Sequence, residues 1–520
     1  MSAPGRIGVL GAGVMGAGIA QLGCLAGAET LLCDSSTEAL ARAEERIGRD
    51  LERGAERGRW SAERAVAARS LLRPVSSAAE LEGAELVIEA VPEDLEIKAT
   101  ALAALPGDPV IATNTSALSV TAIAARLPRP ERVVGMHFFN PPPLMPLVEL
   151  VAGAKTEPAA LELARRTALA MERTPIEVRD AIGFVVNRGA RPFYGEALRL
   201  LDEGVADPAQ IDRICRLGAG FRMGPFELMD LVGTDTNLAV AETFAARSLG
   251  EPRWQPSQIQ RRLVAAGRLG RKSGHGWFEY GEGRTAPADP APPAGAGGGG
   301  RPLAILGNGA EAEALRERAA AHGFAVTAEL EIAPAPLTLV AGPCSPPPPD
   351  RPLAFGLATA SLAVRGQPAA VGFHLLPPAT EATVAELTRL PGSDPAAAAE
   401  LERTVADLGL HAEWVDDAPG LVLGRIVPQL VNEACFAVGE GVASPADVDR
   451  GMTLGLNHPL GPVAWGGRIG WDSVLGRVDA LWAERHDQRY RAAPLLRRAA
   501  ALGIGVEEIR DPERPHPAWN

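Results

Sequence analysis

Gly11, Gly13 and Gly16 form a G-x-G-x-x-G run directly after the apolar stretch RIGVL, with Val14 and Met15 between the last two glycines. The first glycine permits a tight turn, the second lets phosphate approach the backbone, and the third lets helix and strand pack closely. A helix starting there points unpaired N–H groups and positive potential at a pyrophosphate. Asp34 ends the next strand-like run, LLCD, 18 residues after Gly16, where a carboxylate accepts bonds from a ribose diol. That charge would repel the 2′-phosphate of NADP, and Ser35 and Ser36 bring no counter-charge, so the expected cofactor is NAD. A second constellation lies in GMHFFNPPPLMPLVELV, where Glu149 follows His137 by 12 residues. A carboxylate bonded to one imidazole nitrogen fixes the tautomer and raises the basicity of the other, which suits His137 to take an alcohol proton.

The elements that must hold these groups alternate between strand and helix signals. RIGVL, ETLLCD, LVIEAV, VIATNT and RVVGMHF read as short buried strands separated by Ala-, Leu- and Arg-rich helical stretches. That order predicts a parallel sheet covered on both faces, with His137 just after a strand, at the carboxyl edge where ligands bind. From residue 183 to 280 the pattern is helical only. Residues 281–302 are so rich in Pro, Gly and Ala that they read as a flexible linker, and a shorter Pro-rich break lies at 342–352. The second half then repeats the first: VGFHLLPPATEATVAEL parallels VGMHFFNPPPLMPLVEL, and APGLVLGRIVPQLVNEACFAVGEGVASPAD parallels AIGFVVNRGARPFYGEALRLLDEGVADPAQ. The predicted organisation is a sheet domain over 1–182, a helical domain over 183–280, the linker, an eroded sheet domain over 303–416 and a second helical domain over 417–520.

Composition narrows the function classes. The chain has 520 residues, 46% of them apolar and 22% charged, which fits several globular domains. A formal charge of −13 and a pI near 5.3 argue against a nucleic-acid partner. Cys24, Cys33, Cys215, Cys344 and Cys435 lie far apart, without metal-ligand or redox spacing, as expected of a reducing cytoplasm. The start, MSAPGRIGVLGAG, carries neither a basic region nor a cleavable apolar stretch, and no apolar run is long enough to span a bilayer.

GAGVMGAGIA, Asp34, VPEDLEIK, NTSALSV, HFFNPPPLMPLVELV, DAIGFVVNR, GPFELMDLVG and GRKSGHGWFEY together resemble the (S)-3-hydroxyacyl-CoA dehydrogenase family, in that family's order and across nearly all of residues 6 to 280. The doubled length resembles bacterial phenylacetate-degradation enzymes acting on 3-hydroxyadipyl-CoA. The resemblance implies a Rossmann-type α/β NAD-binding domain plus an all-α domain, then a degenerate second copy of both. It implies His137 as catalytic base with Glu149 as its partner, and Ser116 and Asn187 holding the substrate oxygen. It also makes Glu93, Lys98, Asn140 and Lys272 contacts to NAD, beside Gly11, Gly13, Val14, Met15, Gly16 and Asp34. Arg57, among the exposed-looking cations Arg49, Arg53 and Arg59, matches best a family lysine that receives CoA. The activity implied is NAD-dependent oxidation of an (S)-3-hydroxyacyl-CoA, as in β-oxidation. Alternatives are a 3-hydroxybutyryl-CoA enzyme, a free hydroxy-acid dehydrogenase, or an inactive NAD-binding protein. A homodimer is the default assembly.

The second copy looks eroded at its ligand positions. Gly307 and Gly309 persist but Ala312 replaces the third glycine, and no acid falls at the ribose position in FAVTAELEIAP. His374 and Glu386 keep the 12-residue spacing, while LPP replaces the FNP containing Asn140 and Gly424 replaces Asn187. This sheet is not expected to bind NAD. Its helices are expected to pack on the first helical domain, as a second subunit's would in shorter relatives.

Overall fold

The computed structural model describes residues 4–281, 289–291, 293, 295–328, 335–342 and 352–509. Much of the predicted linker and of the Pro-rich break lies outside the described residues, as do Cys344 and the second copy's ribose position. The chain divides into two compact units, residues 4–188 with 440–456, and residues 189–439 with 457–509. Among the described residues no helix is long and apolar enough to cross a membrane.

The first unit is built on eight strands: β1 (Arg6–Leu10), β2 (Glu29–Cys33), β3 (Leu72–Val75), β4 (Leu86–Glu89), β5 (Val110–Thr113), β6 (Val133–Phe138), β7 (Leu147–Ala152) and β8 (Thr174–Arg179). Their order is β3-β2-β1-β4-β5-β6-β7-β8, parallel throughout except for the antiparallel β6–β7 pair. Residues 139–146 are too few for the crossover that a parallel β6–β7 pair would need. Strands covered on both faces read as continuous apolar runs, and Ile7, Val9, Leu32, Ile88, Val134, Met136 and Leu150 are buried in one core. Helix α1 (Val14–Leu25) follows β1. In α2 (Thr37–Glu56), Leu40, Ala43, Ile47 and Leu51 are buried at helical spacing, and Ser36 caps the start by accepting from the Ala39 amide.

The five expected strands are present. Two others, β3 and β8, were not anticipated: LRPV is a short edge segment holding a proline, and TPIEVR also contains one. His137 lies within β6, the expected strand RVVGMHF, and not just after a strand, and it pairs directly across the ladder with Glu149.

The second unit holds β9 (Pro302–Leu306), β10 (Ala325–Thr327), β11 (Thr338–Val340), β12 (Leu353–Gly356), β13 (Val371–His374), β14 (Val384–Arg389) and β15 (His411–Trp414), in the order β10-β9-β11-β12-β13-β14-β15. The antiparallel step recurs at β13–β14, and His374 again pairs with Glu386. Helices α3 (Arg191–Asp202), α4 (Pro208–Ala219) and α5 (Leu423–Gly439) belong to this unit, with α3 packed on α5 and α4 on β14. Helix α6 (Pro445–Leu456) comes from the second copy but packs on β7 and β8 of the first sheet. The fold is the expected one: a Rossmann-type sheet with helices, followed by a second copy of both.

Candidate active site

The glycine loop has the shape its sequence implies. Gly11 has φ of +105°, and a Cβ there would stand 2.7 Å from the Ala90 carbonyl. A Cβ on Gly16 would stand 1.7 Å from the Gly11 carbonyl, so helix and strand meet there without room for a side chain. Gly13 has nothing within 4 Å of its Cβ position, which leaves the approach to the start of α1 open. Val14 is exposed beside it and Met15 is half-buried. The first turn of α1 contains no acidic residue and no side chain caps it, so its N–H groups remain available to an anion. Asp34 accepts from the Ala12 amide at 2.8 Å through Oδ2 and from the Ser36 amide at 2.9 Å through Oδ1. These residues fit a dinucleotide: open backbone for the pyrophosphate and a half-buried carboxylate at the ribose position.

The His137–Glu149 pair is held more tightly than its spacing implies. His137 Nδ1 lies 2.6 Å from Glu149 Oε2, with His137 6% exposed and Glu149 0%. The second carboxylate oxygen accepts from the Val185 and Val186 amides at 2.9 and 3.0 Å. Those amides belong to a turn in which Gly183 and Phe184 both have positive φ, +70° and +52°, which aims successive N–H groups at one anion. Phe139 and Phe184 flank the imidazole, with ring centroids at 4.5 and 5.8 Å. A carboxylate fixed on Nδ1 keeps that nitrogen protonated and leaves Nε2 as the basic atom.

Around this pair, Asn187 Nδ2 donates to the Ser116 carbonyl at 3.4 Å, so these two half-buried residues meet. Glu93 organises the Ser116 turn: it accepts from Thr115 Oγ1 at 2.6 Å and from the Ser116 and Ala117 amides at 2.9 and 3.0 Å. Burial works to raise the Glu93 pKa, but Lys98 and these bonds outweigh it and hold the carboxyl below its ordinary range. Lys98 is 1% exposed, with Nζ 2.7 Å from Glu89 and 3.2 Å from Glu93. Glu89 was not singled out by sequence, although it ends the strand in LVIEAV; it is fully buried and also bonds Thr113 Oγ1 and the Val91 amide. Asn140 is exposed after β6, at a cis bond to Pro141. Arg57 is exposed at the carboxyl end of α2. In the other unit, Lys272 lies 2.6 Å from Asp235.

Two family models match the chain: the 3-hydroxyacyl-CoA dehydrogenase NAD-binding domain over residues 6–181, and the same enzymes' C-terminal domain over residues 183–280 and 420–508. A 3-hydroxyadipyl-CoA dehydrogenase of Escherichia coli (strain K12) is 36% identical over 518 residues, spanning 96% of this chain and 98% of its own. The chain belongs to the 3-hydroxyacyl-CoA dehydrogenase family. This family member is therefore an NAD-dependent oxidoreductase, with the cofactor's domain in the first sheet. A crystal structure described as 3-hydroxybutyryl-CoA dehydrogenase from Escherichia coli K12 superposes with a TM-score of 0.83 at 34% identity, covering 96% of this chain and 98% of that one. A probable 3-hydroxybutyryl-CoA dehydrogenase of Bacillus subtilis (strain 168) is 39% identical over 282 residues, 98% of its own length but 53% of this dehydrogenase.

Proposed function

We propose that this dehydrogenase oxidises the 3-hydroxyl group of 3-hydroxyadipyl-CoA, using His137 as base. The carrying observation is the His137–Glu149 pair, whose carboxylate is fixed by two backbone amides so that Nε2 carries the free lone pair. In this reading, Nε2 takes the hydroxyl proton, and the resulting imidazolium is stabilised by Glu149 at 2.6 Å from Nδ1. The Ser116 hydroxyl and Asn187 amide donate to the oxygen as it becomes a carbonyl. NAD, when bound, accepts the hydride. Gly11, Gly13, Val14, Met15 and Gly16 cradle its pyrophosphate, and Asp34 takes its ribose diol. Glu93 and Lys98, bonded to each other, shape the loop beside it, and Asn140 and Lys272 are further proposed contacts. Arg57 is the proposed CoA contact.

The adipyl assignment is supported by the relative of that name, which spans 96% of this chain; a crystal structure of the same span carries the butyryl name, which makes the butyryl thioester the competing substrate. The reading includes a cytoplasmic homodimer with no nucleic-acid partner. The four described cysteines, all buried and unpaired, are consistent with a reducing compartment. Light scattering on the full chain measures the assembly.

The test compares NADH formation from 3-hydroxyadipyl-CoA and (S)-3-hydroxybutyryl-CoA at equal, sub-saturating concentration. A higher kcat/KM for the adipyl thioester is expected. Preference for the butyryl thioester would move the enzyme to short-chain substrates, and turnover of neither would refute the reading.

A further inference from the structure

The turn that holds Glu149 is itself supported from the far end of the chain. Phe184 sits in the left-handed region, a conformation that is unfavourable for a non-glycine residue and persists only when its surroundings fix it. Three contacts from residues 440–456 do so. The Arg179 amide donates to the Val442 carbonyl at 2.8 Å, before the turn. Arg188 Nη1 donates to Glu440 at 2.7 Å, after it. Between them α6 seats two glycines on the turn's side chains. A Cβ at Gly451 would stand 2.7 Å from Val185, and one at Gly455 would stand 2.9 Å from Val186 and 3.0 Å from Leu147.

The second unit repeats this arrangement with the copies exchanged. There Gly420 and Leu421 have φ of +72° and +50°, and Glu386 accepts from the Val422 and Leu423 amides. The Asp416 amide donates to Val205, and Arg425 donates to Glu203 at 2.6 Å. A Cβ at Gly218 of α4 would stand 2.6 Å from Leu423 and 3.3 Å from Val384. The Val442, Glu440 and Gly455 contacts each have a counterpart in the other unit, with first-copy helix on second-copy turn and the reverse, while Ile214 stands where Gly451 does.

We propose that residues 440–456 of the second copy are a positioning element for the first copy's reacting pair, with Gly455 and Gly451 as its contact points. The second half therefore completes the site at which the first half reacts. This rests on the His137–Glu149 reading of the reaction. The chain is α6 to Val185–Val186, their amides to Glu149, and Glu149 to His137. A displacement of about 1 Å at such a site costs on the order of 100-fold in rate.

The experiment uses the full-length chain labelled with 15N-histidine, without substrate or NAD. The Nδ1–H protons of His137 and His374, each bonded to a buried carboxylate, should give separate downfield resonances, assigned with His137→Gln and His374→Gln. Gly455→Val should move only the His137 resonance, and should lower kcat at least about tenfold with the KM for NAD little changed. Gly218→Val should move only the His374 resonance and leave kcat as it was. If the valine variants lose their thermal transition, Gly455→Ala and Gly218→Ala should give the same crossed pattern at smaller amplitude. A Gly455 series that leaves both the His137 resonance and kcat unchanged overturns the proposal, as does any variant that moves both resonances together. Because the resonances are read without ligand, a wrong substrate assignment leaves this result intact, and failure of wild-type turnover counts against the assignment alone.

Discussion

The first sheet and the second share a strand sequence, one antiparallel step and a buried histidine–glutamate pair joined across it, at 2.6 Å in one and 2.9 Å in the other. They part company where a ligand would lie. The first helix of the first sheet begins without an acid; the helix Ala310–Ala321 of the second begins with Glu311 and Glu313. Glu311 is bonded to Ser473 at 3.0 Å and Arg477 at 2.7 Å. Burial opposes its charge, but Arg477 and Ser473 outweigh that and keep the carboxyl below its ordinary range, so a negative charge stands near the position a phosphate would take. Counting from the paired strands, Ala358 replaces Ser116. Gly424 replaces Asn187, and a Cβ there would meet His374 Nε2 at 2.8 Å. Among the described residues His374 Nε2 has no hydrogen-bond partner. A cavity of about 650 Å³ remains beside His374, lined also by Leu357, Phe373 and Ile469.

The difference separates two constraints that coincide in the first copy. Glu386 is buried, and an unpaired buried carboxylate would be costly, so packing alone is reason enough to keep its histidine and its two amides. No such penalty protects a side chain whose partner is a ligand. Those are the positions that differ. A histidine–glutamate pair at this spacing therefore marks the fold, and its polar surroundings mark the chemistry.

The largest effect is expected from His137→Gln, which should lower kcat by about 100- to 10,000-fold, whereas His374→Gln should leave steady-state turnover unchanged. An equal loss in both variants would make the second pair part of the reaction. Next comes Lys98→Met, which leaves Glu89 buried without its cation and should destabilise the chain by roughly 3–5 kcal/mol, read as a lowered denaturation midpoint. The second sheet has Val340 at the Glu89 position, so no buried carboxylate stands there among the described residues. Smaller still is Ser116→Ala: about tenfold in kcat, while Ala358→Ser should change nothing measurable.

Much of this was legible beforehand, for identifiable reasons. The glycine loop, Asp34 and the strand–helix alternation are local patterns, and each has the structure its pattern implies. The strand RVVGMHF that carries His137 was legible, but periodicity did not show that the next strand pairs back antiparallel and sets Glu149 directly across from it. Lys98 was expected only as a cofactor contact, since nothing in VPEDLEIK announces that Glu89, at the end of the preceding strand, will pair with it inside the core. The exchange of α4 and α6 between copies was invisible: a tandem repeat states that two similar sets of helices exist, and only the packing of Gly455 and Gly218 states which sheet each set covers.

Only the first of the two sheets is expected to hold NAD. Isothermal titration of NAD into the full-length chain and into Gly13→Glu tests it most directly. Gly13 has φ of −66° and open space around its Cβ position, so glutamate fits the backbone while placing a negative charge where the pyrophosphate would lie. One NAD per chain is expected in the wild type and none in Gly13→Glu. Two bound per chain, or one that survives the substitution, would contradict it.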